Sequence, residues 1–367
     1  MNGVKLDKRK LPKSGLLKGL LCLCVAMGLS VFLTGCPVVA EKAEPVGKAY
    51  YNYFDTVSFI YSYAGDSKKS FDENTKAAAE VLDEYHRLFD IYHEYAGITN
   101  LCTVNKQAGK EPLTVDKKLI DFLVYAKELH TLTRGKMNVM LGAVLAPWHD
   151  CRTAASENPE TASIPDMDKL REAEKHTDIS LLEIDEQNCT VRISDADARI
   201  DVGALGKGYA TEQAAKVLED RNAESYVLNI GGNIRIIGHK PDGGSWVTGI
   251  KDPFHHESQY AMYVELADTS CVTSGIYERF FAVDGTRYHH IIDEDTLMPA
   301  DHFASVSVIT KDSGLADALS TALFCMSYED GLNLVNSLED TVEAVWISLD
   351  GTQQYTSGIH PIEYKNN

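Results

Sequence analysis

The sequence predicts an α+β fold: largely antiparallel sheets packed with helices in a single large globular unit. Two observations predict it. Short strands separated by turn residues dominate the second half of the chain. Leu181 to Ile184 and Thr190 to Ile193 flank Glu186-Gln187-Asn188, and Gly231-Gly232 and Asp242-Gly243-Gly244 separate Tyr226 to Ile230, Asn233 to Ile237 and Trp246 to Ile250. Helical patterns do not alternate strictly with these strands, which argues against a doubly wound parallel sheet.

The first 35 residues stand apart. Lys5, Lys8, Arg9, Lys10, Lys13 and Lys18 form a basic leader, and an apolar run from Leu16 to Leu33 follows. This is the pattern of a signal peptide. Its ending, Leu33-Thr34-Gly35-Cys36, resembles the lipobox of bacterial lipoproteins, which makes Cys36 the lipidated (palmitate-bearing) residue. An uncleaved membrane anchor is the alternative, and Lys18 and Gly19 interrupt its apolar run. Either way the globular part is expected outside the cytoplasm, lipid-anchored to the bacterial cell membrane. Residues 36–48 read as a polar tether and 49–367 as the functional domain.

The formal net charge is −19, and the leader carries six basic side chains and one acidic, so the remainder is near −24. So acidic an exterior argues against nucleic acid as a partner. Five cysteines remain beyond Cys36: Cys102, Cys151, Cys189, Cys271 and Cys325. They are scattered, with no Cys-x-x-Cys pair, so no disulfide framework or zinc site follows.

In chain order, Tyr50 to Tyr63 is aromatic and β-branched and reads as a strand. Ser70-Phe71-Asp72-Glu73 has the form of a capping box. The helix after it, to about Tyr95, places Val81, Leu82, Tyr85, Leu88, Phe89 and Tyr92 on one buried stripe. A loop with Tyr95 and Asn105 leads to a helix from Asp116 to about Thr133, stopping at Gly135. Asp150 to Pro165 reads as a charged surface excursion, and Pro165 to His176 as a short helix. Beyond the hairpins, Tyr260 to Leu266, Phe280 to Val283, Ser305 to Thr310 and Val342 to Ser348 read as strands, and Ala316 to about Tyr328 as a helix.

One stretch carries the strongest chemical signal. From Arg199 to Asp220 a short apolar strand (Ile200 to Val202) runs into Gly203, Gly206, Lys207 and Gly208, then into a helical segment. Glycines allow close backbone approach, a helix start offers free N–H groups to an anion, and Lys207 adds a full charge. The spacing is neither a Walker A loop nor the dinucleotide fingerprint. Taken alone, it is equally a tight strand-to-helix connection.

Three further constellations matter. Asp317 and Thr321 are four apart on one helical face, a carboxylate and a hydroxyl suited to Mg2+ or, more blandly, a cap and an ordinary threonine. Thr273 to Arg279 reads as a turn entering a strand, whose Ser274 and Arg279 are candidates to touch phosphate. His290 and Asp293 are three apart, a candidate acid–base pair.

The order and wording of these segments resemble the ApbE family of FAD:protein FMN transferases, over about Tyr53 to Thr352. The matching segments are Gly135 to Val139, Asp201 to Ala210, Asn229 to Asn233, Ser274 to Arg279, His290 to Asp293 and Ala316 to Ala322. The resemblance implies an ApbE-like, T-fold-related architecture. It implies Mg2+ on Asp317, Thr321 and the backbone carbonyl of Ala204. It implies FAD, as substrate, held by Asp201, Lys207, Ser274 and the backbone near Ile291. Lys136, Met137 and Asn138 would hold the adenosine end, and Tyr95 would pack against the cofactor. Two departures stand out: Asn138 where many members have Asp, and Glu294 and Leu297 where Pro and Gly are frequent, so that this turn is expected to be shaped differently.

The implied reaction is attack by a Thr or Ser hydroxyl of a client on the phosphorus bearing the riboflavin side of FAD, with AMP leaving. His290 with Asp293 would remove the hydroxyl proton. The expected clients are membrane redox subunits or secreted reductases. No Ser/Thr-Gly-Ala-Ser/Thr acceptor occurs in the chain itself, so self-modification is not indicated. An FAD pyrophosphatase giving FMN and AMP, and a non-catalytic flavin-binding lipoprotein, are the alternatives.

Overall fold

A computed structural model describes residues 45–364 except 256, 258, 339 and 340. Cys36 and the leader 1–35 lie outside the described residues. Strand β1 (Val46–Tyr53) begins inside the stretch read as tether. It pairs with β2 (Thr56–Ser62), so Tyr50 to Tyr63 is a hairpin rather than one strand. Phe54 and Asp55 between them both have positive φ, 54° and 52°, the requirement of a type I′ turn, met here without glycine.

Helix α1 (Lys68–Phe89) is capped by Ser67, whose side chain accepts the Ser70 N–H. Ser70 is therefore inside the helix and not its cap. The helix stops at Asp90, whose carboxylate accepts the N–H groups of Tyr92 (2.7 Å) and His93 (2.9 Å). Tyr92 is thereby thrown out of the apolar stripe and is exposed. Helix α2 (Leu101–Lys106) and strand β3 (Leu113–Thr114) occupy the region read as loop. Helix α3 (Lys117–Leu132) runs between Asp116 as N-cap and Thr133 as C-cap, as its periodicity predicts. Helix α4 (Gly142–Glu157) extends through the first half of the segment read as a surface excursion, carrying Pro147 within it.

The remaining elements are α5 (Met167–Glu174), β4 (Leu182–Asp185), β5 (Thr190–Ile193), α6 (Gly206–Asp220), β6 (Tyr226–Ile230), β7 (Asn233–Ile237), β8 (Trp246–Lys251) and β9 (Tyr260–Leu266). Then follow β10 (Ser270–Gly275), β11 (Phe280–Val283), β12 (Thr286–His289), β13 (Phe303–Thr310), α7 (Ser313–Phe324), α8 (Tyr328–Ser337), β14 (Glu343–Ser348) and β15 (Gln353–Tyr355). Ser274 thus lies in a strand, not a turn. Ile200 to Val202 form no strand; only Arg199 makes a parallel bridge, to Leu141.

Eight strands form one sheet in the order β1-β2-β6-β7-β10-β13-β14-β15, every neighbour antiparallel. Strand β13 is buried at all eight positions, because both faces of the sheet are covered. Val306 and Val308 join the main core with α1, α3, α6 and α7, while Ile309 joins Ile250, Met262 and Val264 of the β8–β9 hairpin. A third cluster ties α4 and α5 to β11 and β12 through Trp148, Leu170, Phe281 and Tyr288. Among the described residues no helix is long and apolar enough to cross a membrane.

Candidate active site

The site is built where the first turn of α6 meets α7. Helix α6 begins at Gly206, so Gly206, Lys207 and Gly208 are helical rather than a loop before the helix. A Cβ on Gly208 would lie 2.3 Å from the Ser313 carbonyl and 2.4 Å from the Asp317 Cβ. The glycine permits helix-to-helix contact, not approach of a ligand. The Gly208 N–H then donates to Asp317 Oδ2 at 2.7 Å, and Lys207 Nζ stands 3.9 Å from the same oxygen.

Helix α7 is buried at every residue but Thr321. Asp317 is 4% exposed. Burial raises its pKa, opposed by Lys207, the Gly208 N–H and the Asn233 amide. A carboxylate withdrawn from water with so little compensating charge suits a cation. Thr321, one turn on, leans toward Ser274: the two hydroxyl oxygens are 3.4 Å apart, and Ser274 Oγ is 2.8 Å from Ser320 Oγ. Asp317, Thr321, Ser274 and Lys207 are therefore brought together. Ala204 lies in the turn leading into α6 and is partly buried against the core. The donor set fits a hard divalent cation on Asp317 and Thr321.

His290 approaches from the other side. Its backbone N–H and ring Nδ1 both lie on the Arg279 carbonyl, at 3.0 Å and 3.2 Å. A carbonyl only accepts, so Nδ1 carries the hydrogen and Nε2 presents a lone pair. Burial, then Arg279 and Lys207, hold the ring pKa down at about 3. His290 is neutral at physiological pH.

Asp293 does not pair with it. The Asp293 carboxylate binds Lys136 Nζ at 2.8 Å, and Asp295 binds the same amine at 2.6 Å. The expected His290–Asp293 pair is replaced by a Lys136–carboxylate cluster, and Lys136 is held firmly protonated. Met137 is fully buried in the main core, so its side chain is packing. Asn138 is committed to the fold: its Oδ1 accepts the Met140 N–H and its Nδ2 donates to the Thr177 carbonyl. Ile291 likewise spends its N–H on His289 Nδ1 and its carbonyl on the Ala300 N–H. Tyr95 donates to Asp90 Oδ2 and lies under the Arg87 guanidinium.

Asp201 is held by the fold from both ends. Its N–H donates to the Val139 carbonyl (2.8 Å) and its Oδ1 accepts the Gly203 N–H (2.9 Å). Gly142 lets α4 start against this segment, since a Cβ there would meet the Arg199 carbonyl at 2.5 Å. Helix α4 consequently carries His149 to within 3.8 Å of Asp201, and the Tyr92 hydroxyl to His149 distance is 3.1 Å. Tyr92, His149 and Arg152 are the site neighbours that sequence reasoning missed. A signal existed: His149 and Arg152 are one helical turn apart.

The turn after His290 contains a left-handed residue. Leu297 has φ 61°, is 4% exposed, and its carbonyl accepts the Trp148 indole N–H at 3.1 Å. Leucine here adopts the left-handed conformation that glycine favours.

Comparison with known proteins identifies the family. The model of the ApbE family matches residues 55–346. The chain belongs to the ApbE family. The FAD:protein FMN transferase of Treponema pallidum is 33% identical over 305 residues, covering 77% of this chain and 82% of that protein. That of Vibrio cholerae is 27% identical over 334 residues, 91% and 96% of the two chains. Among solved structures, the ApbE protein of Thermotoga maritima superposes with a TM-score of 0.74 at 28% identity, over 86% of this chain and 97% of that one. The flavin transferase ApbE of Vibrio cholerae gives 0.71 at 25% identity, over 86% and 98%. The ApbE-like α+β architecture expected from sequence is the one observed.

Proposed function

We propose that this site transfers FMN from FAD to a Thr or Ser hydroxyl of a client redox protein, with Mg2+ bound and AMP released. That the protein is an FAD:protein FMN transferase follows from its family and from curated relatives of that name spanning most of its length. The finer chemistry rests on one observation: a buried acid (Asp317), a lysine (Lys207) and a neutral imidazole (His290) converge on the start of α6.

Mg2+, held by Asp317 and Thr321 with the Ala204 carbonyl, would supply neutralisation of the diphosphate and polarisation of its phosphorus. Lys207 places a second positive charge beside that diphosphate. His290 Nε2 accepts the proton of the client hydroxyl as its oxygen bonds to the riboflavin-side phosphorus. The bond from that phosphorus to the bridging oxygen breaks, and AMP leaves with the oxygen. Alignment and charge supply the acceleration. The clients are read as membrane redox subunits or secreted reductases, and the enzyme as lipid-anchored through Cys36 on the outer face of the cell membrane.

The fate of FAD tests this. The domain from residue 37 onward is incubated with FAD, MgCl2 and a soluble domain bearing a Thr-Gly-Ala-Thr acceptor. In-gel fluorescence on that domain supports transfer. FMN and AMP without an adduct would identify a hydrolase, and intact FAD would overturn both.

A further inference from the structure

Two guanidinium groups lie beside His290. Arg152 on α4 lines a small cavity together with Leu145, Trp148, His149, Phe281 and His290. Arg279 holds His290 through its carbonyl. Burial, and then the nearby Arg279 charge, disfavour the charged form of Arg152, and both guanidiniums act on His290 and on Tyr92. Among the described residues neither has a carboxylate oxygen within salt-bridge distance, although the chain's net charge is −19. The carboxylate facing them, Asp201, spends one oxygen on the Gly203 N–H and turns the other to His149.

A partly buried guanidinium that lines a cavity beside His290, with a second positive charge nearby and no carboxylate paired to it among the described residues, suits an anion. Arginine matches phosphate oxygens with paired donors, whereas lysine offers a point charge. Lys207, beside the metal-binding acid, also bears on His290, so the cationic groups run without interruption from α6 to α4. We propose that Arg152 contacts the non-bridging oxygens of the phosphoryl group being transferred, the one attached to riboflavin, and stabilises it as the client oxygen bonds and the AMP oxygen departs. This rests on the transferase reading above and adds a catalytic residue from α4 to it.

The test uses Arg152→Gln and Arg152→Lys in the domain from residue 37 onward. Binding of FMN, which carries the transferred phosphate, and of AMP, which does not, is measured with MgCl2 by calorimetry. Transfer from FAD to the acceptor domain is measured in parallel. Arg152→Gln is expected to weaken FMN about tenfold, leave AMP unchanged and lower kcat about 100-fold, with Arg152→Lys recovering part of the loss. Removing one of two repelling charges should not lower Tm, and a fall in Tm with equal loss of FMN and AMP binding would overturn the proposal. So would unchanged FMN affinity with a raised KM for the acceptor domain, which would assign Arg152 to client acidic side chains. If wild type gives no adduct, the transferase reading fails while the FMN-versus-AMP comparison still decides the anion site.

Discussion

The Gly208 N–H donates to Asp317 Oδ2 at 2.7 Å, across an interface where a Cβ on Gly208 would lie 2.3 Å from the Ser313 carbonyl. One hydrogen bond thus fixes the spacing of α6 and α7 and orients the buried acid. Gly208→Ala places a methyl against backbone that cannot rotate away. The expected cost is about 1–3 kcal/mol of stability, with loss of metal binding. Lys207→Ala, in contrast, should leave stability nearly unchanged while weakening FAD. Thermal unfolding of the two variants distinguishes packing from ligand contact, and equal Tm values would contradict the packing role.

Asp317 is an acid buried beside Lys207 and the Gly208 N–H, and its proposed role is to hold a cation. Asp317→Asn retains an acceptor for the Gly208 N–H and removes the cost of burying the ionised form. Without metal the variant should melt at or above the wild-type temperature. Wild type should gain stability on adding MgCl2, because binding to the folded state alone shifts the equilibrium, and the variant should not. A Mg2+-induced rise retained in Asp317→Asn would move the cation elsewhere.

Glu294 gives a pH signature. Burial, reinforced by Asp295 and Asp293, lifts its pKa to about 7 against Lys136 and Asn138. Its folded pKa lies above the unfolded value, so its favourable contribution is complete below about pH 4.5 and is lost as pH rises through 7. Glu294→Gln should match wild type at pH 5 and exceed it by about 1 kcal/mol at pH 8. Equal denaturation midpoints at both pH values would contradict the shift.

Burial and the Arg279 and Lys207 charges push the His290 pKa down to about 3, so its lone pair is available across the whole physiological range. His290→Ala should lower the transfer rate about 100-fold while FAD affinity stays within threefold. Asp293→Asn should act differently: it loosens Lys136, weakening substrate binding more than turnover. A rate unchanged in His290→Ala would remove it from proton transfer.

Much of this was legible in the sequence, for identifiable reasons. Helix α3 is flanked by Asp116 and Gly135, and the β6–β7 hairpin turns on Gly231-Gly232, both at positive φ, so local chemistry alone places them. Asp317 and Thr321 are tied by helical period. What was illegible depends on distant contacts. Gly208 looked like a ligand cradle because the helix it touches is over a hundred residues away. The His290–Asp293 spacing suggested a pair, yet Lys136 captures the carboxylate from another segment. Met137 and Ile291 match family segments, but their burial is set by the packed core. Tyr92 and Arg152 reach the site only because Asp90 ends α1 and Gly142 seats α4 on Arg199.

The most direct measurement is the intact mass of the acceptor domain after incubation with FAD and enzyme, in MgCl2 and in EDTA, for wild type and Asp317→Asn. The expected result is a gain of one FMN, less water, in wild type with MgCl2 alone, on the Thr-Gly-Ala-Thr segment. An adduct of equal yield in EDTA or in Asp317→Asn would contradict a metal-dependent transfer centred on α7.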